Sequence, residues 1–245
     1  MLRGFKLCGV ASALLVLGLA AGCGSDHSSI RVVHVSPDSG NVDVAVEGKT
    51  IVTDLAFQGI SPASGYLTVT SGTRRVEVRP NATTTDLVNS TVGFATGSQY
   101  TLLVQGKSSN DSVAALVKTD DNSTPPSGSA RLRIIHDAPD ATNVGTLATC
   151  DAPPCVDVYI VAPGTDITSL APTIPSLAYQ QASIYQNLPA GTYEIIMTDS
   201  TDTAKARQVD KTYTVSNGQV RTLVTLDTAA GDAMASEPLI LSDLN

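Results

Sequence analysis

At 245 residues, with 42% hydrophobic side chains, the chain is long enough for one or two domains and apolar enough to fill their cores. There is no Trp and only 3 Phe, so those cores are built from Val, Ile, Leu and Ala; plentiful Thr, Ser, Gly and Pro beside only 16% charged residues point to short strands joined by turns. A formal net charge of -8 without any basic stripe excludes nucleic acid as a partner, because phosphate backbones repel an acidic surface.

Met1 to Lys6 carries two positive charges, and Leu7 to Ala21 is apolar or small throughout. Fifteen such residues fall short of the roughly 20 needed to span a bilayer, so residues 1–22 read as a signal peptide. Leu19-Ala20-Ala21-Gly22-Cys23 resembles the bacterial lipobox, which implies cleavage before Cys23 and lipid on its thiol, with 23–29 as a short tether. The alternative is an ordinary secretory signal cut near the same place. Loss of residues 1–22 removes Arg3 and Lys6 and leaves 13 basic against 23 acidic side chains, a net charge of -10.

The first strand runs from Ile30 to Val35 and stops at Pro37, which has no N–H for a sheet ladder. Asp38 to Asn41 supplies turn residues, and Val42 to Glu47 alternates with the period of a half-buried strand. Further strands are predicted at 50–55, 66–70, 75–79, 89–94, 100–105 and 113–118. That spacing within residues 30–119 suits an antiparallel sandwich of immunoglobulin-like type, although a closed barrel would space its strands similarly.

Residues 120–129 hold no apolar side chain and read as a linker, stiffened at Pro125 and Pro126. The chain then repeats itself over 130–245. Arg31, His34, Pro37 and Asp38, followed by Asp43 within Val-Asp-Val, return as Arg133, His136, Pro139 and Asp140, followed by Asp157 within Val-Asp-Val. Later matches pair Tyr66 with Tyr179, Gly72 with Gly191, Gly97 with Gly218, Thr101 with Thr222 and Leu116 with Leu239. The copies differ most after Asp140, where 15 residues replace the three at Ser39 to Asn41 and include Cys150 and Cys155. In an exported chain that has lost Cys8 and lipidated Cys23, this remaining pair is expected to form a disulfide.

The pattern Arg-aliphatic-aliphatic-His-x-(Ser or Ala)-Pro-Asp, then Val-Asp-Val, then a later Tyr and a Gly-Thr turn, resembles the bacterial family called domain of unknown function 4397. Both copies carry it. The resemblance implies exported or surface-attached all-β modules, often in tandem, with no activity or catalytic residues to transfer.

His34 and His136 are the only histidines at repeated positions. They read as strand-end residues that bond a turn, the alternative being a metal or proton-transfer site completed by Asp38, Asp140 or Asp137. Neither a Gly-x-Ser-x-Gly elbow, a His-Glu-x-x-His helix nor a phosphate-cradling loop is present in the sequence. No catalytic residue, metal ligand or cofactor is assigned. Candidate ligand contacts are Asp151 in the Cys loop and two second-copy tyrosines, Tyr159 and Tyr185. The expectation is two tandem immunoglobulin-like β-sandwiches on a lipid-anchored envelope protein, sorted to the outer membrane. As a non-catalytic binding, adhesion or scaffolding module it would meet a cell-surface protein or polysaccharide. The alternatives are a ligand- or metal-binding lipoprotein using the Cys loop, and an enzyme of unrecognised type.

Overall fold

The computed structural model describes residues 26–141 and 154–244; the leader, Cys23, Cys150 and Asp151 lie outside these described residues. The first domain holds β1 (His27–His34), β2 (Val42–Val46), β3 (Lys49–Leu55), β4 (Ile60–Ser61), β5 (Leu67–Thr70), β6 (Gly72–Pro80), β7 (Val88–Phe94), β8 (Gln99–Gln105) and β9 (Ala114–Asp120). The second holds β10 (Ser129–His136), β11 (Cys155–Val161), β12 (Ile174–Ala178), β13 (Gln186–Pro189), β14 (Gly191–Asp199), β15 (Arg207–Val215), β16 (Val220–Thr225) and β17 (Leu239–Leu244). Each domain is a sandwich of two sheets. One sheet runs β3-β2-β6-β7 in the first domain and β12-β11-β14-β15 in the second; its partner runs β4-β1-β8-β9, with β5 also on β1, and β13-β10-β16-β17.

The fold is all-β as the alternation predicts, with three corrections. The sandwiches are not purely antiparallel, since β1 pairs with β8 and β10 with β16 in parallel. His27 to Ser29, assigned to the tether, already pair with Thr70, Val69 and Thr68 of β5, so β1 starts three residues early. Asp120, assigned to the linker, ends β9 as a buried residue, and Ser129 opens β10. Polar side chains hid both extensions, because strand alternation is recognised by its apolar members.

The Val-Asp-Val strands show how the repeat is built. Asp43 Oδ1 accepts the Asp54 N–H at 2.8 Å, and Asp157 Oδ1 accepts the Ser176 N–H at 2.8 Å. Asp54 and Ser176 have φ of 54° and 47°, a left-handed conformation that turns the amide out of the sheet ladder at a register shift in each domain. The carboxylate takes up the displaced donor.

Strand alternation also explains why β1 and β10 are buried on both faces. Ile30 and Val32 enter the first domain's own core, and Leu132 and Ile134 enter the second's. Val33, Val35 and Leu103 point the other way and meet Ile135, Val224, Leu226 and Leu241 in a third apolar cluster shared by the two domains. Four sheets are therefore stacked, with the two central ones face to face. Each side chain in that shared cluster contributes about 1.5–3 kcal/mol of burial.

Candidate functional site

The repeated arginines stand at the centre of the face where the domains meet. Arg31 is 2% exposed; its Nη2 donates to Asp243 Oδ1 at 2.6 Å and to Thr101 Oγ1 at 2.7 Å, and its Nη1 to the Ser242 carbonyl at 2.9 Å. Arg133 mirrors this: Nη2 donates to Asp120 Oδ1 at 2.5 Å, Nε to Thr222 Oγ1 at 3.1 Å, and Nη1 to the Thr119 carbonyl at 2.9 Å. Each arginine thus binds the last strand of the other domain. The threonines link the pairs, Thr101 donating to Asp120 at 2.7 Å and Thr222 to Asp243 at 2.5 Å. Tyr66 covers Arg31 and donates to Asp120 at 2.8 Å; Tyr185 covers Arg133 and donates to Asp243 at 3.0 Å.

Exchanging the domains maps this network onto itself, as in the self-complementary contact of a two-fold dimer. Burial alone would lower the Arg31 pKa, but Asp243, Tyr66 and Asp120 outweigh it and hold the guanidinium more firmly charged than usual.

The two histidines close the turn after the first strand of each domain. His34 Nε2 donates to the Gly40 carbonyl at 2.8 Å, while its Nδ1 accepts the Ser36 N–H at 3.3 Å. At His136, Thr225 Oγ1 accepts the Asp137 N–H at 3.0 Å and donates to Nδ1 at 2.8 Å, while Nε2, on the side of the Pro154 backbone, has no hydrogen-bond partner. In the first domain the histidine thus pins the chain at Gly40, two residues before β2, where it re-enters the sheet.

Burial pushes the His136 imidazole down to about 4, the nearby Pro154 backbone opposing this only in part. The unfolded ring protonates near 6.5, so acid favours the unfolded chain: the contribution is whole above pH 6.5 and is lost as pH falls towards 4, about 3 kcal/mol in full. Asp227, pushed up to about 6 mainly by burial, acts in the opposite direction over the same range. Wild type and His136→Gln are therefore compared with one another: urea midpoints at pH 6.5 and pH 4 should converge on acidification, and an unchanged gap between the two chains would refute the assignment.

The turn aspartates diverge. Asp38 caps a short turn of its own domain, accepting the Ser108 and Ser109 N–H groups at 2.7 and 2.9 Å. Partial burial would raise its pKa, but these bonds prevail and lower it. Asp140 instead takes Lys107 of the first domain, whose Nζ also donates to the Gly231 carbonyl at 2.6 Å and lies 3.4 Å from Asp227 Oδ2. Pro37 crosses between domains as well, its Cγ being 3.2 Å from where a side chain at Gly231 would begin.

Two of the three residues expected to touch ligand are committed elsewhere, and Asp151 is outside the described residues. Tyr159 is 1% exposed and packs with Ile167 and Ile196, so no ligand reaches it without opening the fold. Tyr185 belongs to the arginine network. It also corrects the alignment of the copies: Tyr66 precedes β5 and Tyr185 precedes β13 directly, whereas Tyr179 lies edge-on to His136 at 6.4 Å as Phe57 does to His34 at 6.3 Å. Sequence comparison missed Asp120 and Asp243. Both lie four residues beyond the matched Leu116 and Leu239, so extending that match by one turn of alternation would have found them.

A cavity of about 580 Å³ opens beside this network, lined by Gly65, Tyr66, Gln99 and Asn122 of the first domain and Asp243 and Leu244 of the second. Among the described residues, no group of three or more His, Cys, Asp or Glu is placed to hold a metal.

Comparison with known proteins places the chain in a family without assigning an activity. No curated protein matches it. Three solved structures align with it at low identity and low TM-score. One described as the Bacillus anthracis TIE protein is 12% identical over 82% of this chain, with a TM-score of 0.24, and this chain spans 34% of it. A second, described as α-glucan binding by a streptococcal virulence factor, is 10% identical, with 86% of this chain and 97% of that one covered and a TM-score of 0.27. A third, described as α-glucan recognition by family 41 carbohydrate-binding modules from streptococcal virulence factors, is 12% identical, with coverage of 87% and 98% and a TM-score of 0.26. The family pattern described as "Domain of unknown function (DUF4397)" matches residues 28–146 and again 148–245, and the chain belongs to that family as two tandem copies.

Proposed function

We propose that the protein is a non-catalytic binding or scaffolding module of the bacterial cell envelope, held to a membrane by lipid on Cys23 and presenting its two sandwiches as one body. The observation that carries this reading is the direction in which the repeated polar residues face. Arg31, Arg133, Asp120 and Asp243 are each at most 7% exposed and bonded to one another, and His34 and His136 are wholly buried, His34 bonded to the turn at Gly40 and His136 to Thr225 of β16. The motif that recurs in both copies therefore builds the body, and a partner meets the surfaces around it. A cell-surface protein or polysaccharide is the class of partner that suits an acidic exported module.

The start of β1 bears on the anchor. The Asp26 carbonyl already accepts the Ser71 N–H at 2.9 Å, so only Gly24 and Ser25 separate Cys23 from the folded domain. A lipid on Cys23 would hold the first domain against the headgroups. Cys23→Ser should move the protein from the membrane to the soluble fraction of fractionated cells; membrane association that survives the substitution refutes the anchor. Crosslinking on intact cells, followed by partner identification, tests the binding role, and a chain that crosslinks to nothing argues for a purely structural part.

In the second domain we assign a disulfide between Cys150 and Cys155. Support comes from the export signal and from Cys155 being buried at the start of β11, where a cystine would tie the end of the insertion to the sheet. Mass analysis after alkylation without reductant should find neither thiol labelled, and labelling of both would refute the bridge.

A further inference from the structure

The two copies of the arginine network differ in one side chain, and the difference leaves a space. In the second domain Arg131 lies two residues before Arg133 on β10 and faces the same way. Its guanidinium carbon is 5.1 Å from the Tyr185 ring centre, Nη1 donates to Asp121 Oδ2 at 2.9 Å, and Nη2 donates to the Asp121 carbonyl. In the first domain the equivalent position is Ser29, two residues before Arg31 on β1. Ser29 pairs with Gln99 on β8, and the cavity of about 580 Å³ lies there, lined by Gln99, Tyr66 and, from the other domain, Leu244, the counterpart of Asp121.

Asn122 also lines this cavity and is held in place by its neighbours. Asn122 Nδ2 donates to Tyr66 Oη at 2.9 Å and to Gln99 Oε1 at 2.7 Å, while its buried Oδ1 has no hydrogen-bond partner.

We propose that this cavity binds an arginine side chain of a partner protein, which would occupy in the first domain the place that Arg131 occupies in the second. A planar guanidinium fits two features at once: an aromatic ring to lie against, as Arg131 lies against Tyr185, and the net negative charge of the chain. An ammonium would use only the charge. The inference deepens the binding-module reading above and rests on it, naming the chemistry that one of its surfaces selects.

The probe is a capped Gly-Arg-Gly peptide, with Gly-Lys-Gly for comparison, titrated into the full chain and followed by backbone amide NMR. Saturable shifts are expected at Tyr66, Gln99 and Asn122, with the lysine peptide at least about fivefold weaker, because it cannot lie flat on the ring. Ser29→Arg supplies the missing side chain from within and should abolish those shifts while the chain stays folded. Arg131→Ala should open the equivalent space beside Tyr185 and add a second set of shifts. Absence of saturable binding by the arginine peptide, equal binding of the lysine peptide, persistence of binding in folded Ser29→Arg, or no second set in Arg131→Ala would each overturn the proposal. The envelope reading would then still stand or fall on the Cys23→Ser result.

Discussion

Asp120→Ala is expected to lower the unfolding free energy by about 3–5 kcal/mol, the cost of removing one partner from a buried charge pair. This carboxylate accepts from Arg133 at 2.5 Å, Thr101 at 2.7 Å and Tyr66 at 2.8 Å, and lies 3.5 Å from Arg31. Its loss strands Arg133, which is 3% exposed and has no water to turn to. Because Asp120 belongs to the first domain and Arg133 to the second, the damage should cross between them: amide hydrogen exchange should accelerate in β10 and β16 as well as in β9. Asp210→Ala is the control. Its pair with Arg207, at 2.7 Å, is 44% and 35% exposed, and the substitution should cost less than about 1 kcal/mol. Urea unfolding read by circular dichroism measures both. Equal small losses for the two variants would mean that the buried network contributes no more than a surface pair.

The second large effect has the opposite sign. The exchange of domains that maps Arg31 onto Arg133 maps Val35 onto Asp137 and Leu241 onto Lys118, the latter two being the residues opposite Thr222 and Thr101. Val35 and Leu241 belong to the shared apolar cluster, whereas Asp137 is 2% exposed with neither carboxylate oxygen hydrogen-bonded. Burial pushes the Asp137 pKa well above the usual carboxylate range; nearby Asp227 adds to this, and Lys118 opposes it.

Burial likewise lowers the Lys118 pKa, with Asp137 as the main counterweight. Replacing such a pair by well-packed apolar residues is often stabilising, so Asp137→Val combined with Lys118→Leu should raise stability by about 1–4 kcal/mol at pH 7. The gain should shrink in acid. A carboxyl with a raised folded pKa weakens the fold fully above that raised value; the penalty shrinks as pH falls below it and is gone below the ordinary carboxyl value of 3.8. Lys118→Leu alone should be less stable than the double variant, since it removes the ammonium that offsets the buried Asp137 carboxyl and leaves that carboxyl in place. A double variant less stable than wild type at every pH would show that the ionic pair is favourable in itself.

Much of the fold can be read from the residues, because its strands carry the signals that sequence patterns preserve. Alternation in Val42 to Val46 and Arg75 to Arg79, the stop at Pro37 and the turn at Ser71-Gly72 each locate an element to within a few residues. The repeat locates the second domain. The interface could not be read in the same way. A strand buried on both faces loses its alternation, and Arg31-Val-Val-His34-Val-Ser looks like one apolar run whether its outer face meets solvent or another sheet.

The candidate site divides on similar lines. Arg31 and Arg133 are visible in the repeated phrase, yet their partners lie 212 and 13 residues away along the chain and stand at the polar ends of their strands, past the apolar residues that mark them. Tyr185 looked unshared because the insertion and loop changes disturb a residue-by-residue match between the copies. The equivalence appears only when strands are aligned by what they bond. Tyr159 looked accessible because a tyrosine in a strand carries no mark of which face it is on.

The central claim is that the motif repeated in both domains joins them into a single rigid body through crossed Arg–Asp pairs. Backbone amide residual dipolar couplings test it most directly, fitted separately for β1–β9 and for β10–β17 in the intact chain. The account predicts one alignment tensor, equal in magnitude and orientation for both sets. Two tensors differing in magnitude would mean that the domains move independently and would contradict it.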